Sequence, residues 1–199
     1  MHKSSMLKME YFKTTYLNPN DNLKILDIGS FDKTGNYNYG MVLNEKNWTY
    51  HGLDLKEGNN VDIIVENPYD WQEVEEESYD VVITGQALEH IEFFWLTLEQ
   101  INRVLKPGGF CCIIVPSAGP VHKNPYDCYR FQDDGVKALA EYIKLRVIEY
   151  GTTDASNSNP WFDSYVIARK PDKGSKEELE NRMDDIERKM DLILEKLKG

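Results

Sequence analysis

The chain has 199 residues, of which 41% are hydrophobic, and a formal net charge of -11. This length allows one domain with a substantial core, and the sequence has no run of about 18 apolar residues that could cross a membrane. Because no such run exists, we expect no membrane insertion. An acidic protein repels phosphate backbones, so we also expect no nucleic-acid partner. The first residues lack the apolar stretch of a secretory signal, which indicates a cytoplasmic protein.

Residues 1–20 are predicted to form an N-terminal helix and a lead-in to the main domain. Apolar side chains recur with weak helical spacing between residues 4 and 16. The segment 18–21, rich in turn-forming residues, then ends the helix. We expect this helix to lie against the domain, in a role that the sequence leaves open.

Residues 21–171 are predicted to form an α/β domain with a doubly wound, mainly parallel sheet. Strand-like runs alternate with helical stretches, as in βαβ units. One helix is predicted over residues 93–105, and the proline and glycines of segment 106–109 end it. The seven predicted strands cover residues 23–28, 48–54, 61–65, 79–84, 110–115, 145–151 and 163–169.

Four short segments within this domain carry a more specific signal. They are residues 24–29, 51–54, 79–84 and 105–109, and each combines apolar residues with an acidic residue or a glycine. In this order and spacing they resemble the class I S-adenosylmethionine-dependent methyltransferases, in particular the type-11 set. The resemblance implies a Rossmann-like fold, an enzyme, and S-adenosylmethionine as the cofactor.

The end of the first predicted strand is expected to hold the methionine part of this cofactor. Open α/β sheets bind ligands at the carboxyl ends of their strands, where Asp27, Gly29 and Ser30 stand. In the family the acidic residue helps to organise the loop around the ligand, and a glycine lets the backbone approach it. Phe31 and Lys33 occupy positions where the family has further glycines, which argues against a dinucleotide-binding loop.

Further cofactor contacts are predicted at the next strand ends. Asp54 ends the second strand, where a carboxylate can accept both ribose hydroxyls, and Leu55 follows it. The resemblance implies that Asn67 contacts the adenine amine, although an asparagine that only turns the chain is an alternative. It also implies that Gly85 and Gln86, after the fourth strand, line the cofactor.

The long segment 117–131 is the predicted acceptor side of the site. Connections of this length inside a compact domain are usually functional. A hydroxyl acceptor needs a base to take its proton, and we predict His122 for this role. Asp127 is expected to orient His122 or to act as the base itself. His90 is a further candidate, with a packed structural histidine as the alternative.

Aromatic and polar side chains in the same segment indicate the class of acceptor. Tyr126, Tyr129 and Arg130 are predicted to bind the substrate, since aromatic rings stack on sugar C–H faces and polar groups bind hydroxyls. The segment resembles bacterial methyltransferases that modify glycans, so the predicted acceptor is a hydroxyl of a sugar or glycan. In the alternative, Arg130 pairs with Asp127 and the aromatic rings cap the sheet.

Two other functions stay open at this point. The acceptor could be the hydroxyl of a small aromatic or lipid-like molecule, or the chain could be a catalytically degenerate cofactor-binding module that serves assembly. A metal-dependent mechanism is also conceivable, because some sugar methyltransferases use a divalent cation to acidify the hydroxyl. No compact carboxylate cluster stands out in the sequence, however, so no metal site is predicted.

Residues 172–199 are predicted to form a helix that resembles a coiled coil. After a Gly-Ser hinge, apolar residues recur at alternating intervals of four and three, which makes a heptad seam. We predict that residues 176–198 mediate homo-oligomerisation or dock a larger partner; in the alternative, this face packs on the chain's own domain. The seam consists of Leu179, Met183, Ile186, Met190, Ile193 and Leu197.

Overall fold

The computed structural model describes residues 3–35, 37–153 and 162–198 of the chain. Seven strands form one sheet in the order β3-β2-β1-β4-β5-β7-β6, and every neighbouring pair is parallel except β5–β7 and β6–β7. This confirms the predicted doubly wound, mainly parallel fold. The strands are β1 (Lys24–Ile28), β2 (Thr49–Asp54), β3 (Ile63–Ile64), β4 (Tyr79–Gly85), β5 (Leu105–Pro116), β6 (Arg146–Thr152) and β7 (Asp163–Arg169).

Helices cover both faces of the sheet. On one face, α2 and α3 contribute buried side chains such as Leu98 and Val136 to a cluster that includes Leu26 of β1. On the other face, α1 buries Met9 and Phe12 against apolar residues of β1, β4 and β5. The helix predicted over residues 93–105 is confirmed to within one residue at each end. The helices are α1 (Lys3–Tyr16), α2 (Phe94–Val104), α3 (Asp133–Tyr142) and α4 (Lys176–Lys198), with 3-10 turns at Tyr39–Met41 and Leu88–His90.

Two strands differ in length from their predictions. The third was predicted over residues 61–65, but β3 has two residues, because the side chain of Asp62 takes the Gly52 amide that a strand carbonyl would otherwise bond. The fifth was predicted to begin at residue 110, whereas β5 follows α2 directly. Gly108 has a left-handed backbone, with φ +77°, and its amide donates to the Lys170 carbonyl.

The N-terminal helix shares the core of the sheet, which answers the question that the sequence left open. The hydroxyls of Tyr11 and Tyr16 both donate to Glu149 of β6, at 2.8 and 2.7 Å. Ser4 donates to Asp163, the first residue of β7. Helix α1 is therefore tied to the two antiparallel strands as well as packed on the parallel ones.

Helix α4 touches the domain through charged side chains and turns its heptad seam away from it. Lys144 lies 3.4 Å from Asp185, and Arg146 lies 3.5 Å from Glu177. The first five seam residues are between 48% and 61% exposed, and the side chain of Leu197 lies outside the described set. The alternative of an apolar face packed on the chain's own domain is therefore wrong for these residues. In the described ranges, none of the helices has the length and apolar character to span a membrane.

Replacing Phe12 by alanine tests the contribution of α1 to the core. Phe12 is fully buried and its ring centroid lies 6.0 Å from that of Tyr16 and 6.4 Å from that of Phe110. We expect Phe12→Ala to lower the free energy of unfolding by about 3–5 kcal/mol in urea denaturation. The control Leu7→Ala, on the exposed face of the same helix, should change it by less than about 0.5 kcal/mol. Equal effects of the two variants would show that α1 is not part of the core.

Candidate active site

A cavity of about 260 Å³ opens at the carboxyl ends of β1, β2 and β4. Parallel strands bring these ends to one edge of the sheet, where open α/β folds bind ligands. Four predicted cofactor residues, Gly29, Asp54, Leu55 and Gln86, line it. The remaining lining residues are Ile28, Phe31, Leu53, Lys56, Val65, Pro68, Trp71, Ala87, His90, Ile91, Thr97, Asn124 and Pro125.

Gly29 brings the loop after β1 against the segment after β4. Its φ is +72°, and a β-carbon at this position would lie 2.4 Å from the β-carbon of Ala87. Its amide donates to the Leu53 carbonyl of β2 at 2.9 Å. A glycine is required here by backbone conformation and by close packing, independently of any ligand.

Asp54 projects from the end of β2 beside this loop. Its Oδ2 accepts from the Phe31 amide at 3.2 Å, and its Oδ1 accepts from the Leu55 amide at 2.7 Å. Each carboxylate oxygen has two lone pairs, so both oxygens can accept a further hydrogen bond from a ligand hydroxyl. The carboxylate that holds the loop could therefore also position a ligand.

Asp32, which the sequence analysis did not single out, holds the rest of the loop. Its carboxylate accepts from the amides of Thr34 and Tyr37, at 3.0 and 3.1 Å, and from the side chain of Asn38 at 3.2 Å. Desolvation raises the pKa of Asp32, but these hydrogen bonds outweigh it and bring the pKa below its ordinary value. The sequence pattern that could have indicated this role is an aspartate shortly before a threonine-glycine turn.

Asp27 and Ser30, predicted cofactor residues, lie behind the cavity and do not line it. Asp27 is 2% exposed and accepts a hydrogen bond from the Tyr50 hydroxyl. Burial raises its pKa to about 7, against the hydrogen bonds from Tyr50 and Asn60, which lower it. Asn60 joins these groups to the loop, since its amide nitrogen donates to the Tyr50 hydroxyl and to the Ser30 carbonyl, both at 3.0 Å.

Two other predicted cofactor residues also lie outside the lining. Asn67 is exposed and its side-chain oxygen accepts from the Tyr69 amide at 2.9 Å, which is the turn alternative raised from the sequence. Gly85 faces the opposite side of the sheet, where a β-carbon would lie 1.9 Å from the Tyr39 hydroxyl. Gln86, the next residue, lines the cavity with a left-handed φ of 58°.

The predicted base His122 is brought to the cavity edge by the acceptor loop, residues 117–131. Its ring centroid lies 5.0 Å from that of His90, which lines the cavity. Nδ1 of His122 is 3.4 Å from a carboxylate oxygen of Asp127. Partial burial lowers the pKa of His122; Asp127 raises it, and His90 and Arg130 lower it further. The structure thus joins both candidate histidines in one pair.

Asp127 is held in an ion pair that makes it a poor base. Its two oxygens accept from Arg130 at 2.5 and 2.8 Å, and one also accepts from the His122 amide at 2.6 Å. The hydrogen bonds from Arg130 hold the pKa of Asp127 well below its usual range. This corrects the alternative in which Asp127 takes the proton, while its position beside His122 agrees with an orienting role.

The three predicted substrate residues have different surroundings. Arg130 spans the acceptor loop, because it also donates to the Pro120 carbonyl at 2.8 Å. The Tyr129 ring packs 4.9 Å from that of Phe94, and its hydroxyl donates to a backbone carbonyl, so Tyr129 caps the core. Tyr126 is 52% exposed beside the cavity residue Pro125. Arg130 and Tyr129 therefore occupy the structural roles left open above, and Tyr126 stays available to a substrate.

The buried carboxyl of Asp27 should make stability fall with rising pH. Because its pKa is raised to about 7, the folded chain keeps a proton that the unfolded chain loses above about pH 4. The free energy of unfolding should therefore decrease between about pH 4 and 7, by at most about 4 kcal/mol from this group. Asp27→Asn cannot ionise and should remove this part of the decrease in urea titrations at stepped pH. Parallel curves for the two proteins would contradict the buried, protonated Asp27.

Comparisons with known proteins agree with this geometry. Residues 28–113 match the family model described as a methyltransferase domain. No curated protein sequence matches the chain. Similar solved structures include the 1,6-didemethyltoxoflavin-N1-methyltransferase of Burkholderia thailandensis with bound S-adenosylhomocysteine, at 14% identity and a TM-score of 0.66, over 84% of this chain and 79% of that one.

Two further solved structures show how widely this fold is used. One is the phosphoethanolamine N-methyltransferase 2 of Haemonchus contortus with S-adenosylmethionine, at 14% identity and a TM-score of 0.59, over 85% of this chain and 53% of that one. The other is the [4+2]-cyclase SpnF, at 11% identity and a TM-score of 0.66, over 83% and 80% of the two chains. Residues 28–113 are thus similar to a methyltransferase domain, and the fold is that of solved S-adenosylmethionine-dependent methyltransferases.

Proposed function

We propose that this chain is a class I methyltransferase that transfers the methyl group of S-adenosylmethionine to a hydroxyl of a sugar or glycan. The observation that carries the proposal is the pair of imidazoles, His90 and His122, at the edge of the cavity under the acceptor loop. A hydroxyl is a weak nucleophile until its proton leaves, so a site for hydroxyl acceptors needs proton-accepting groups at that position.

The cavity lining supports a specific orientation of the cofactor. Asp54 would accept the ribose hydroxyls, as predicted from its place at the end of β2. Gly29 and Gln86 would lie along the methionine part. The apolar group of Val65, Pro68 and Trp71 would take the adenine, in place of the contact predicted for Asn67.

This orientation puts the reacting methyl group toward the histidine pair. Methyl transfer is an in-line displacement, so the protein mainly has to align the acceptor oxygen, the methyl carbon and the sulfur. Of the three bases considered from the sequence, Asp127 is disfavoured by its ion pair, and the two histidines contact each other. We place removal of the acceptor proton at this pair.

The acceptor loop supports a polar, solvent-facing substrate. Lys123, Asn124 and Tyr126 are exposed next to the cavity, and an exposed tyrosine ring can stack on a sugar face while amide and ammonium groups bind hydroxyls. A small apolar acceptor would need a deep apolar pocket on this side. The neighbours named above include N-methyltransferases and a cyclase, so the fold alone does not choose the acceptor.

Methylation assays with labelled S-adenosylmethionine test the proposal. We expect incorporation into hydroxyls of sugars, nucleotide sugars or oligosaccharides, and none into amines of matched size. Asp54→Ala should weaken S-adenosylhomocysteine binding about 10- to 100-fold in calorimetry, because hydrogen bonds to a charged group are lost. Asp184→Ala, exposed on α4, is the matched control and should bind normally. Methylation of amines alone would overturn the acceptor class, and normal binding by Asp54→Ala would overturn the cofactor orientation.

We also propose that residues 176–198 associate with the same helix of a second copy. The seam is exposed along its described length, and the residues beside it are acidic on one side, Glu180 and Glu187, and basic on the other, Arg182 and Lys189. In a parallel pair, Arg182 of one copy would face Glu187 of the other, whereas an antiparallel pair would bring like charges together. Charge therefore supports parallel self-association over an unrelated partner.

A charge in the seam tests this association. Ile186→Glu places a carboxylate at the centre of the apolar seam, so the variant should sediment as a monomer where the native chain sediments as an oligomer. Asp184→Ala changes the outer face of the same helix and should keep the native mass. A native chain that is monomeric at all concentrations would contradict self-association.

A further inference from the structure

The carboxylate of Glu89 lies in an unusual position at the end of β4. It belongs to the 3-10 turn Leu88–His90, and the residue is 0% exposed. Within the described ranges, neither of its side-chain oxygens accepts a hydrogen bond from another residue. A buried carboxylate without donors is costly, so such a group is normally protonated, paired or bound to a cation.

The adjacent His90 has a ring orientation suited to binding a cation. Its Nδ1 lies 2.5 Å from the carbonyl oxygen of Tyr126. A carbonyl can only accept, so Nδ1 carries the proton, and in the neutral ring Nε2 has a lone pair. Nε2 is 3.7 Å from Oε1 of Glu89. Two acceptors thus face each other, and histidine ligands of metals commonly donate their other nitrogen to a backbone carbonyl in this way.

His122 completes a set of three potential ligands. One ligand atom from each of Glu89, His90 and His122 lies within 4.8 Å of the others. Asp127 and Asp163 add negative potential at Glu89, and Arg130 adds positive potential. Glu89 and His90 lie in the turn after β4, and His122 lies in the acceptor loop, 32 positions after His90. No local sequence pattern therefore shows the set.

We propose that Glu89, His90 and His122 bind a divalent transition-metal ion such as Zn²⁺ or Mn²⁺ at the edge of the cofactor cavity. Two imidazoles and one carboxylate suit such ions, whereas Mg²⁺ and Ca²⁺ prefer oxygen ligands throughout. Three protein ligands leave coordination positions for water or for a substrate oxygen. The prediction of no metal, made from the sequence, looked for a carboxylate cluster and did not consider this mixed set.

The inference rests on the proposed function and specifies how the acceptor proton would leave. A hydroxyl bound to the cation becomes more acidic and releases its proton to solvent water. The alkoxide oxygen then forms a bond to the methyl carbon, the carbon–sulfur bond breaks, and its electron pair returns to sulfur, which gives neutral S-adenosylhomocysteine. In this scheme His90 and His122 act on the acceptor through the cation that they bind, and solvent water takes the proton in place of a free histidine base.

Titration of the full chain with Co²⁺ alone tests the site without any methyl acceptor. After treatment with a chelator, the native chain should bind one equivalent and develop the visible absorption of cobalt with nitrogen and oxygen ligands, and Zn²⁺ should displace it. Glu89→Gln, His90→Ala and His122→Ala should each weaken Co²⁺ binding at least about 10-fold. The controls are His51→Gln, whose ring bonds to Tyr79, and Glu92→Gln, which is exposed outside the cluster.

Each outcome decides the proposal. Absence of a visible band at excess Co²⁺, or equal binding by the three ligand variants and the controls, overturns the site and leaves Glu89 protonated beside His90. Far-UV circular dichroism shows whether each variant is folded. If Glu89→Gln does not fold, His122→Ala decides, because His122 lies on a surface loop. Hydroxyl methylation that survives chelation without Co²⁺ binding would reject the metal and keep the proposed function. Co²⁺ binding without methylation of any hydroxyl would keep the metal site and reject the proposed function.

Discussion

The contact between Gly29 and Ala87 sets the geometry on which the site depends. A side chain at position 29 would overlap the β-carbon of Ala87, so the loop after β1 packs directly against the segment after β4. The end of β2 is held to the same point by the hydrogen bond between the Gly29 amide and the Leu53 carbonyl. The cavity is the space left beside this junction, and its position follows from the strand order of the sheet.

Three aspartates around the junction show how environment decides the state of one residue type. Asp54 and Asp32 accept backbone amides, which stabilise a charged carboxylate in front of the loop and within it. Asp27 is buried behind the loop with a tyrosine hydroxyl as donor, and its pKa is raised to about 7. The first two hold the loop as hydrogen-bond acceptors, whereas burial favours the neutral form of the third.

The sheet and part of the cavity could be predicted because they depend on short-range patterns. Apolar runs bounded by turns located the strands, and Asp54 followed from the rule that ligands bind at the carboxyl ends of parallel strands. Gln86 followed from the family resemblance. Side chains alternate between the two faces of a strand, so Asp27 lies on the face opposite to Ile28, which lines the cavity. The prediction that Asp27 contacts the cofactor did not take this alternation into account. The short β3 depends on one side chain that replaces a backbone acceptor, which no periodicity reveals.

Long-range convergence explains the rest of what was missed. The meeting of Glu89 with His122 depends on the path of an irregular loop, and the weak apolar pattern of α1 did not show that its tyrosines meet at Glu149. The heptad seam was visible in the sequence, but its outward direction depends on ion pairs such as that between Lys144 and Asp185. Residue patterns therefore predicted helices and strands, whereas the roles of individual side chains depend on contacts between elements that are distant in the sequence.

The turn Leu88–His90 is shared by the cavity and the acceptor loop. His90 lines the cavity and bonds to the Tyr126 carbonyl, while the Glu89 carbonyl accepts from the Cys128 amide at 2.7 Å. A displacement of this turn would move both binding regions together. Occupancy of the two regions is then thermodynamically linked, so that whatever acceptor binding does to cofactor affinity, cofactor binding does equally to acceptor affinity.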